Sequence, residues 1–385
     1  MRILAIAADI TPEKLGGAEM HFVEVLKRVA PDLEAVTVVT GPEITIKKEF
    51  PGLSHINYYR VIYPHIPNLY GIMFILFAAP LSIVLAKLKK YDLVWAKQEF
   101  PQAQVGALVK KFTGIPLYIT SQNPLLAREE LVLRGWLPMK LRAELADLIT
   151  PLIAWSFRKA DTVAAVSSYS AKITQRMGAR NIVIIPNGVD IEKFRPVRNS
   201  EDKLLEIVTT SSLIPRNGID ILIKACALLP AGLKWKLTIA GEGPLFKQLQ
   251  KMARSLRIAD RVTFLGRVSN KDIPALLSRS SVFIRPSRHE GFGSSFIEAM
   301  AVGLPVIGTP VGGITDFLTD RRTGLLVLPN DPKDLAKAIE KLARDKNLRL
   351  ALGDNGAELA RTKYHWGRIA VMVLREFRNL SDEKK

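Results

Sequence analysis

The sequence predicts an α/β protein of two Rossmann-like domains, each built on a doubly wound parallel sheet. Three observations predict it. The chain has 385 residues, enough for two domains of ordinary size. Short apolar runs alternate with amphipathic helical runs through both halves. A polar, Pro-containing stretch, residues 191–203 (IEKFRPVRNSEDK), separates the two alternations and reads as a linker.

In the first half, Arg2–Ala8 reads as a buried strand rather than a signal peptide, because it is short and runs directly into a loop. A loop over Asp9–Gly17 leads to a helix over Gly17–Ala30, with apolar Phe22, Val23, Leu26 and Val29. Gly16 and Gly17 at its start would admit a diphosphate against backbone amides, although a plain strand–helix turn also favours glycine. Further strands fall near 35–40, 58–63, 91–96, 115–120, 160–166 and 182–185. The stretch Ile66–Ala86 has no charged residue and the length of a membrane span, but Pro67 and Pro80 interrupt it. A true span would put the first strands on the wrong side of the bilayer, so two readings stay open. One is a buried helix; the other is an apolar surface dipping into a membrane, with the following basic residues on anionic head groups. Residues 125–157 read as long amphipathic helices, suited to an acceptor-binding or membrane-facing lobe or to core packing.

The second half is organised around Ser281–Thr315. A strand at Val282–Arg285 breaks at Pro286, a Gly-rich turn follows at Glu290-Gly291-Phe292-Gly293, and a helix runs from Ser294 to Gly303. A strand at Pro305–Gly308 then enters a second Gly-rich loop. Ligands in such sheets sit at the carboxyl ends of strands, beside helix N-termini. Glu290 in the loop and Glu298 one turn into the helix can border one crevice, with backbone amides of the glycine turn beside them. Carboxylate acceptors beside amide donors suit a ligand carrying both hydroxyls and phosphates, such as a nucleotide-sugar. The plainer alternative is that both glutamates are solvated charges and the glycines only turn corners. Other strands are expected near 206–210, 236–240, 262–265 and 324–327. Helices are expected near 219–229, 244–257, 271–279, 313–319 and 332–344, with a last one near 366–379.

Composition narrows the function. The net charge of +18 points to an acidic partner. Its excess lies in residues 85–180, with 15 Lys/Arg against 7 Asp/Glu, whereas residues 1–84 hold 7 against 8. No nucleic-acid-binding signature accompanies it, so no nucleic-acid partner is expected, and a basic solvated surface is the plain alternative. The single cysteine, Cys226, reads as core and fits a reducing, cytoplasmic setting. The five histidines form no metal pattern, and no metal site or cofactor is expected. A P-loop and a complete dinucleotide fingerprint are both missing, which disfavours kinase, ATPase and dehydrogenase activity.

Glu290 and Glu298, with Gly291-Phe292-Gly293 between them, resemble the paired-glutamate signature of retaining glycosyltransferases of family 4. Leu15-Gly16-Gly17-Ala18-Glu19 is similar to the family's N-terminal loop, and Ile185-Pro186-Asn187-Gly188-Val189-Asp190 to its linker signature. Gly241-Glu242-Gly243-Pro244-Leu245 and Phe264-Leu265-Gly266-Arg267-Val268 resemble its C-terminal-domain turns. The ordered set covers nearly the whole chain. The resemblance implies the GT-B fold, two Rossmann-like domains facing across a cleft. On that plan residues 1–190 form an acceptor-side domain, 191–203 the linker, 204–362 a nucleotide-sugar-binding domain, and 363–380 a helix crossing back to the first domain.

The resemblance further implies metal-independent transfer of a sugar from a nucleotide-sugar to a hydroxyl, with retained anomeric configuration, the leaving phosphate taking the acceptor proton. Glu290 would hold a donor-sugar hydroxyl and Glu298 the ribose hydroxyls. Phe292 and Gly293 would offer amides, and Gly16, Gly17, Gly291 and Arg267 would join the substrate-binding set. The sequence departs from the family in the loop after the second domain's first strand. Ser212 and Asn217 stand where an Arg and a Lys are expected on the diphosphate, leaving Arg216 to take over that contact. Gln122 stands where many members have a histidine near the donor sugar, and Lys97 likewise replaces a histidine. The expected acceptor is a glycan or lipid-linked hydroxyl in envelope, surface-polysaccharide or glycolipid synthesis. The expected place is the cytoplasm, with an anionic membrane surface as a further candidate partner. Two alternatives remain: a sugar-nucleotide epimerase on the same fold, and a non-catalytic nucleotide-sugar-binding protein.

Overall fold

A computed structural model describes residues 1–8, 17–42, 56–64, 66, 69–122, 139–196 and 204–382, apart from the side chains of residues 18, 139–146 and 148. The chain divides into two compact units, one of Met1–Asn187 with Trp366–Lys385, the other of Gly188–His365.

The first unit holds strands β1 (Arg2–Ala7), β2 (Ala35–Thr40), β3 (Asn57–Arg60), β4 (Leu93–Ala96), β5 (Leu117–Ser121), β6 (Thr162–Ala165) and β7 (Ile182–Ile184). They form one parallel sheet in the order β3-β2-β1-β4-β5-β6-β7. The near-continuous apolar run of β1 reflects burial on both faces. Ile3, Ala5 and Ala7 enter one core with Phe22 of α1 (Gly17–Val29) and Phe377 of α12 (Trp366–Asp382). Leu4 and Ile6 enter a second core with Phe74, Val105 and Phe157, carried on α2 (Tyr70–Leu88), α3 (Gln102–Thr113) and α4 (Met139–Lys159). Helix α5 (Ser168–Arg176) is capped by Ser167, whose hydroxyl accepts from the Ser170 amide at 3.0 Å.

Helix α2 is the uncharged stretch of the sequence. It buries Phe74, Ala78, Ala79, Ser82 and Leu85, yet its other face presents Ile72, Leu76, Phe77, Val84 and Leu88 to solvent. One face of the helix is thus packed in the core, and the other is an exposed apolar surface. The helix is also long and apolar enough to cross a membrane by length and composition, with 39% of its most apolar window buried. Pro67 and residues 125–138, named in the sequence reading, lie outside the described residues.

The second unit holds β8 (Leu205–Thr210), β9 (Trp235–Ala240), β10 (Val262–Gly266), β11 (Val282–Ile284), β12 (Val306–Gly308) and β13 (Leu325–Leu326). They form a parallel sheet in the order β10-β9-β8-β11-β12-β13. Strand order reverses between β1 and β4 in one sheet and between β8 and β11 in the other. These are the two switch points where strand-end loops diverge and leave a crevice. Helices α6 (Ile219–Ala227), α7 (Phe246–Ser255), α8 (Ile273–Ser278), α9 (Ser294–Ala301) and α10 (Pro332–Arg344) connect the strands or cover them. Cys226 is buried in this core, and burial pushes its thiol up.

Two elements differ from expectation. The helix expected over 313–319 is a short 3-10 turn, Gly312–Asp316, because Gly312 (φ +57°) packs directly on the Glu290 carbonyl, 1.8 Å from where a Cβ would stand. Residues 346–363, assigned no helix from sequence, form α11 (Lys346–Lys363). Gly353 and Gly356 weaken its helical pattern but let it pack closely. A Cβ at Gly353 would lie 2.2 Å from the Gly303 carbonyl, and one at Gly356 would lie 3.1 Å from the Met300 side chain.

Candidate functional site

The carboxyl end of β11 builds the constellation that the sequence singles out. Pro286 ends the strand, and the chain turns through residues 287–293 into α9, whose N-cap is Gly293 at φ +100°. Glu290 is not a free solvated charge. Its Oε2 lies 2.5 Å from Nη2 of Arg285, and its Oε1 accepts from the Gly291 amide at 3.1 Å. Arg285 also donates from Nη1 to Ser295 Oγ at 2.8 Å and lies over the Phe296 ring, 4.9 Å from its centroid. Glu298 stands one turn further along α9. Burial pushes its carboxyl up to about 7, against the opposing pull of the Arg285 charge. Phe292 turns its ring inward against Phe317 and Tyr364, so only its backbone is available to a ligand.

The loop after β8 lies beside this one, since β8 and β11 are paired. Arg216 sits there in a 3-10 turn, and its carbonyl accepts from the Arg288 amide at 2.6 Å. Arg288 clamps the two loops. Its guanidinium donates to both carboxylate oxygens of Asp220 (2.8 and 2.7 Å), to the Pro215 carbonyl and to Asn330. Asn217, in the place where a cation was expected, donates to the Ser212 carbonyl at 2.7 Å and so braces the loop. At the ends of β8 and β11, Thr209 Oγ1, Thr210 Oγ1, Ser211 Oγ, Ser287 Oγ and Arg285 Nε are buried with no hydrogen-bond partner among the described residues. Orphaned polar atoms gathered at a switch point have capacity left for a ligand. Arg267 is exposed at the end of β10, two strands away from β8 across β9.

The first unit has its own polar cluster at its strand ends. Gln122, after β5, exchanges two hydrogen bonds with Asn187, Nε2 to Oδ1 at 3.2 Å and Nδ2 to Oε1 at 3.0 Å. Its backbone amide donates to Glu99 at 3.2 Å. His21 is packed, and its ring Nδ1 donates to Asn187 Oδ1 at 2.9 Å. Burial lowers its imidazole to about 4, with the Asn187 bond opposing, so it is neutral near pH 7. Lys97, after β4, is buried and paired with Glu19 of α1 at 3.1 Å. Gly17 opens α1, and Gly16 lies outside the described residues.

The structure thus brings Glu290, Gly291, Phe292, Gly293 and Glu298 together, places Arg216 on the adjoining loop, and leaves Arg267 apart. Sequence reasoning missed Arg285, Arg288 and Ser295. The available signal for Arg285 was a charged residue closing the buried strand Val282–Ile284, five positions before a glutamate. Among the described residues no group of His, Cys, Asp and Glu could hold a metal ion.

Fold and site together define a two-unit α/β protein with its ligand capacity at parallel strand ends. Two family models match it side by side, one described as Glycosyltransferase Family 4 over residues 15–193, the other as Glycosyl transferases group 1 over residues 190–359. The chain belongs to this family of glycosyltransferases, of GT-B fold. An uncharacterized glycosyltransferase of Methanocaldococcus jannaschii is 27% identical over 371 residues, 96% of each chain. A GDP-mannose-dependent alpha-(1-6)-phosphatidylinositol monomannoside mannosyltransferase of Mycobacterium tuberculosis is 32% identical over 232 residues, 55% of this chain and 60% of that one. Among solved structures, Anabaena HepE in complex with UDP and glucose superposes with a TM-score of 0.77 at 22% identity, covering 98% of this chain and 100% of that one.

Proposed function

We propose that this glycosyltransferase moves a hexosyl group from a nucleotide-sugar to a hydroxyl of a glycan or lipid-linked acceptor, with retention of configuration, in envelope, surface-polysaccharide or glycolipid synthesis. The observation that carries the donor half is the fixed carboxylate of Glu290 beside Glu298 and the orphaned hydroxyls at the β8–β11 switch point. In this reading Glu290 accepts from a sugar hydroxyl, Glu298 from the ribose, and Gly291, Phe292 and Gly293 bring the α9 N-terminus to the donor. Arg216 meets the diphosphate, where fixed donors stabilise the charge that develops on the leaving group, without a metal or other cofactor. Arg267 and the Gly16-Gly17 turn are assigned to the substrate's periphery, and Gln122 to bracing the first unit's strand ends through Asn187. The Mycobacterium relative's name, GDP-mannose-dependent and acting on a phosphatidylinositol mannoside, supports a sugar nucleotide and a lipid-borne acceptor.

The apolar outer face of α2 favours an acceptor met at a membrane. Arg60, Lys87 and Lys90 are exposed around it, and the acidic residues between 56 and 122 are only Asp92 and Glu99, neither of them exposed. A cytoplasmic protein held peripherally on an anionic leaflet fits that pattern.

The test is product analysis with UDP- and GDP-sugars, with and without lipid extract. Release of nucleoside diphosphate with an α-linked glycolipid product from an α-linked donor supports the reading. A new sugar-nucleotide isomer from donor alone would replace it with epimerisation. Flotation with anionic vesicles tests the membrane half, which fails if no binding is seen even at low salt.

A further inference from the structure

We propose that Arg285 is the positioning residue of the donor site, a single buried guanidinium that ties the Glu290 carboxylate to the first turn of α9. The inference rests on the reading of Glu290 and Glu298 as donor ligands and goes beyond it, because nothing in the paired-glutamate pattern calls for a cation at the end of β11.

Arg285 is only 6% exposed, and its backbone amide still donates across the sheet to the Ile307 carbonyl at 3.2 Å. The root of its side chain is therefore as fixed as the sheet. From there Nη2 holds Glu290 at 2.5 Å and Nη1 holds Ser295 at 2.8 Å, while Phe296 supports the guanidinium plane from one side. Glu290 belongs to a glycine-rich turn rather than to the sheet, so its carboxylate is the group that needs holding. With Oε2 on Arg285 and Oε1 on the Gly291 amide, the carboxylate has one defined orientation, and each oxygen keeps a lone pair for a ligand hydroxyl. Fixing an acceptor before the ligand arrives removes the ordering cost from binding.

The same guanidinium acts on Glu298, where its charge partly offsets the effect of burial. The charged groups facing it from the neighbouring elements are few. Arg288 is engaged with Asp220, and the β8 loop carries Ser212 and Asn217 at the positions where cations were expected. Arg216 is the cation of the β8 loop, so the site's positive charge is divided between that loop and Arg285 behind the glutamates.

Positioning and direct phosphate binding make different predictions. Glu290 serves the sugar, so Arg285→Gln should lower affinity for a nucleotide-sugar by about tenfold to a hundredfold, as expected for losing a charge-assisted contact. Affinity for the matching nucleoside diphosphate, measured well above pH 7 where Glu298 is ionised, should change by less than about twofold. The probes are GDP with GDP-mannose and UDP with UDP-glucose, titrated against the full chain. Adding Glu290→Gln to Arg285→Gln should cost less than Glu290→Gln costs alone, since the two residues share one contact. Removing the Arg285 charge should also move the acid limb of the pH profile for nucleotide binding to higher pH. Ser295→Ala, which keeps Arg285 and its charge, is the control for folding and should give a smaller loss of the same pattern. Equal losses of diphosphate and nucleotide-sugar affinity would overturn the positioning role. Additive losses in the double variant would overturn it too. If the unaltered protein binds neither diphosphate, the donor reading itself is overturned, and the role of Arg285 with it.

Discussion

The two sheets end in polar clusters of opposite character. At the β5–β7 edge of the first unit, Gln122, Asn187 and His21 bond to one another, and of the strand-end hydroxyls there Ser121 Oγ is buried without a partner among the described residues. At the β8–β11 crossover of the second unit, Glu290 is held by Arg285, yet four hydroxyls and a guanidinium nitrogen are buried without partners among the described residues. A closed network specifies packing; an open one specifies a ligand. The difference teaches that burial of polar residues at strand ends does not by itself mark a binding group. Whether hydrogen-bonding capacity is already used up does.

The largest expected effect separates the two clusters by activity. Glu290→Gln should reduce transfer roughly a hundredfold with little loss of stability, because it removes a charged acceptor from the ligand side while keeping an oxygen for the buried Arg285. Gln122→Ala should instead cost about 1–3 kcal/mol of stability, because it removes two buried hydrogen bonds to Asn187. Paired turnover and denaturation measurements on both variants check this. A Gln122→Ala protein of normal stability and hundredfold lower turnover would erase the distinction.

A second effect concerns pH and has opposite signs in the two units. The His21 imidazole is lowered to about 4 from an ordinary value of 6.5, so between those values the unfolded chain binds the extra proton, and the stability is lost as pH falls. Glu298 is raised to about 7, so between its ordinary value and 7 the folded chain binds the extra proton, and stability is lost as pH rises. Each contributes up to roughly 3 kcal/mol across its window. Glu298→Gln should therefore be more stabilising, or less destabilising, at pH 8 than at pH 5. His21→Gln should flatten the acid side. Unfolding free energies of both variants at the two pH values test the signs, and equal shifts at both would contradict them. Since an ionised Glu298 is the better acceptor for ribose, nucleotide affinity should also fall below pH 7.

The smallest effect on stability belongs to α2. Leu76→Ser alters a side chain that is 60% exposed, so unfolding free energy should move by less than about 0.5 kcal/mol. Vesicle affinity should nevertheless drop. Unchanged flotation would remove α2 from the membrane account.

Much of the fold was legible because periodicity and glycine placement report it directly. β1 and β8 read as strands, and the Glu290–Gly293 turn read as the start of a helix. Residues 346–363 were not legible, because Gly353 and Gly356 break the local helical pattern for the sake of contacts with residues 300 and 303, which are distant in sequence. The site was half legible for the same reason. Glu290 and Glu298 are named by local spacing, whereas Arg285 acquires its meaning only when a turn folds Glu290 back onto it. Ser212 and Asn217 signalled a loss of cations, but sequence could not show that Asn217 would brace its own loop.

The most direct test of the central claim, that the carboxyl ends of β8 and β11 hold a nucleotide-sugar, is the stability of the full chain with UDP, GDP and ADP. A cognate diphosphate at about 100 times its dissociation constant should add about 2.7 kcal/mol to the unfolding free energy. The account predicts this stabilisation for one base and a clearly smaller one, at the same ligand concentration, in Glu298→Ala. No stabilisation by any of the three, or an equal one in Glu298→Ala, would contradict it.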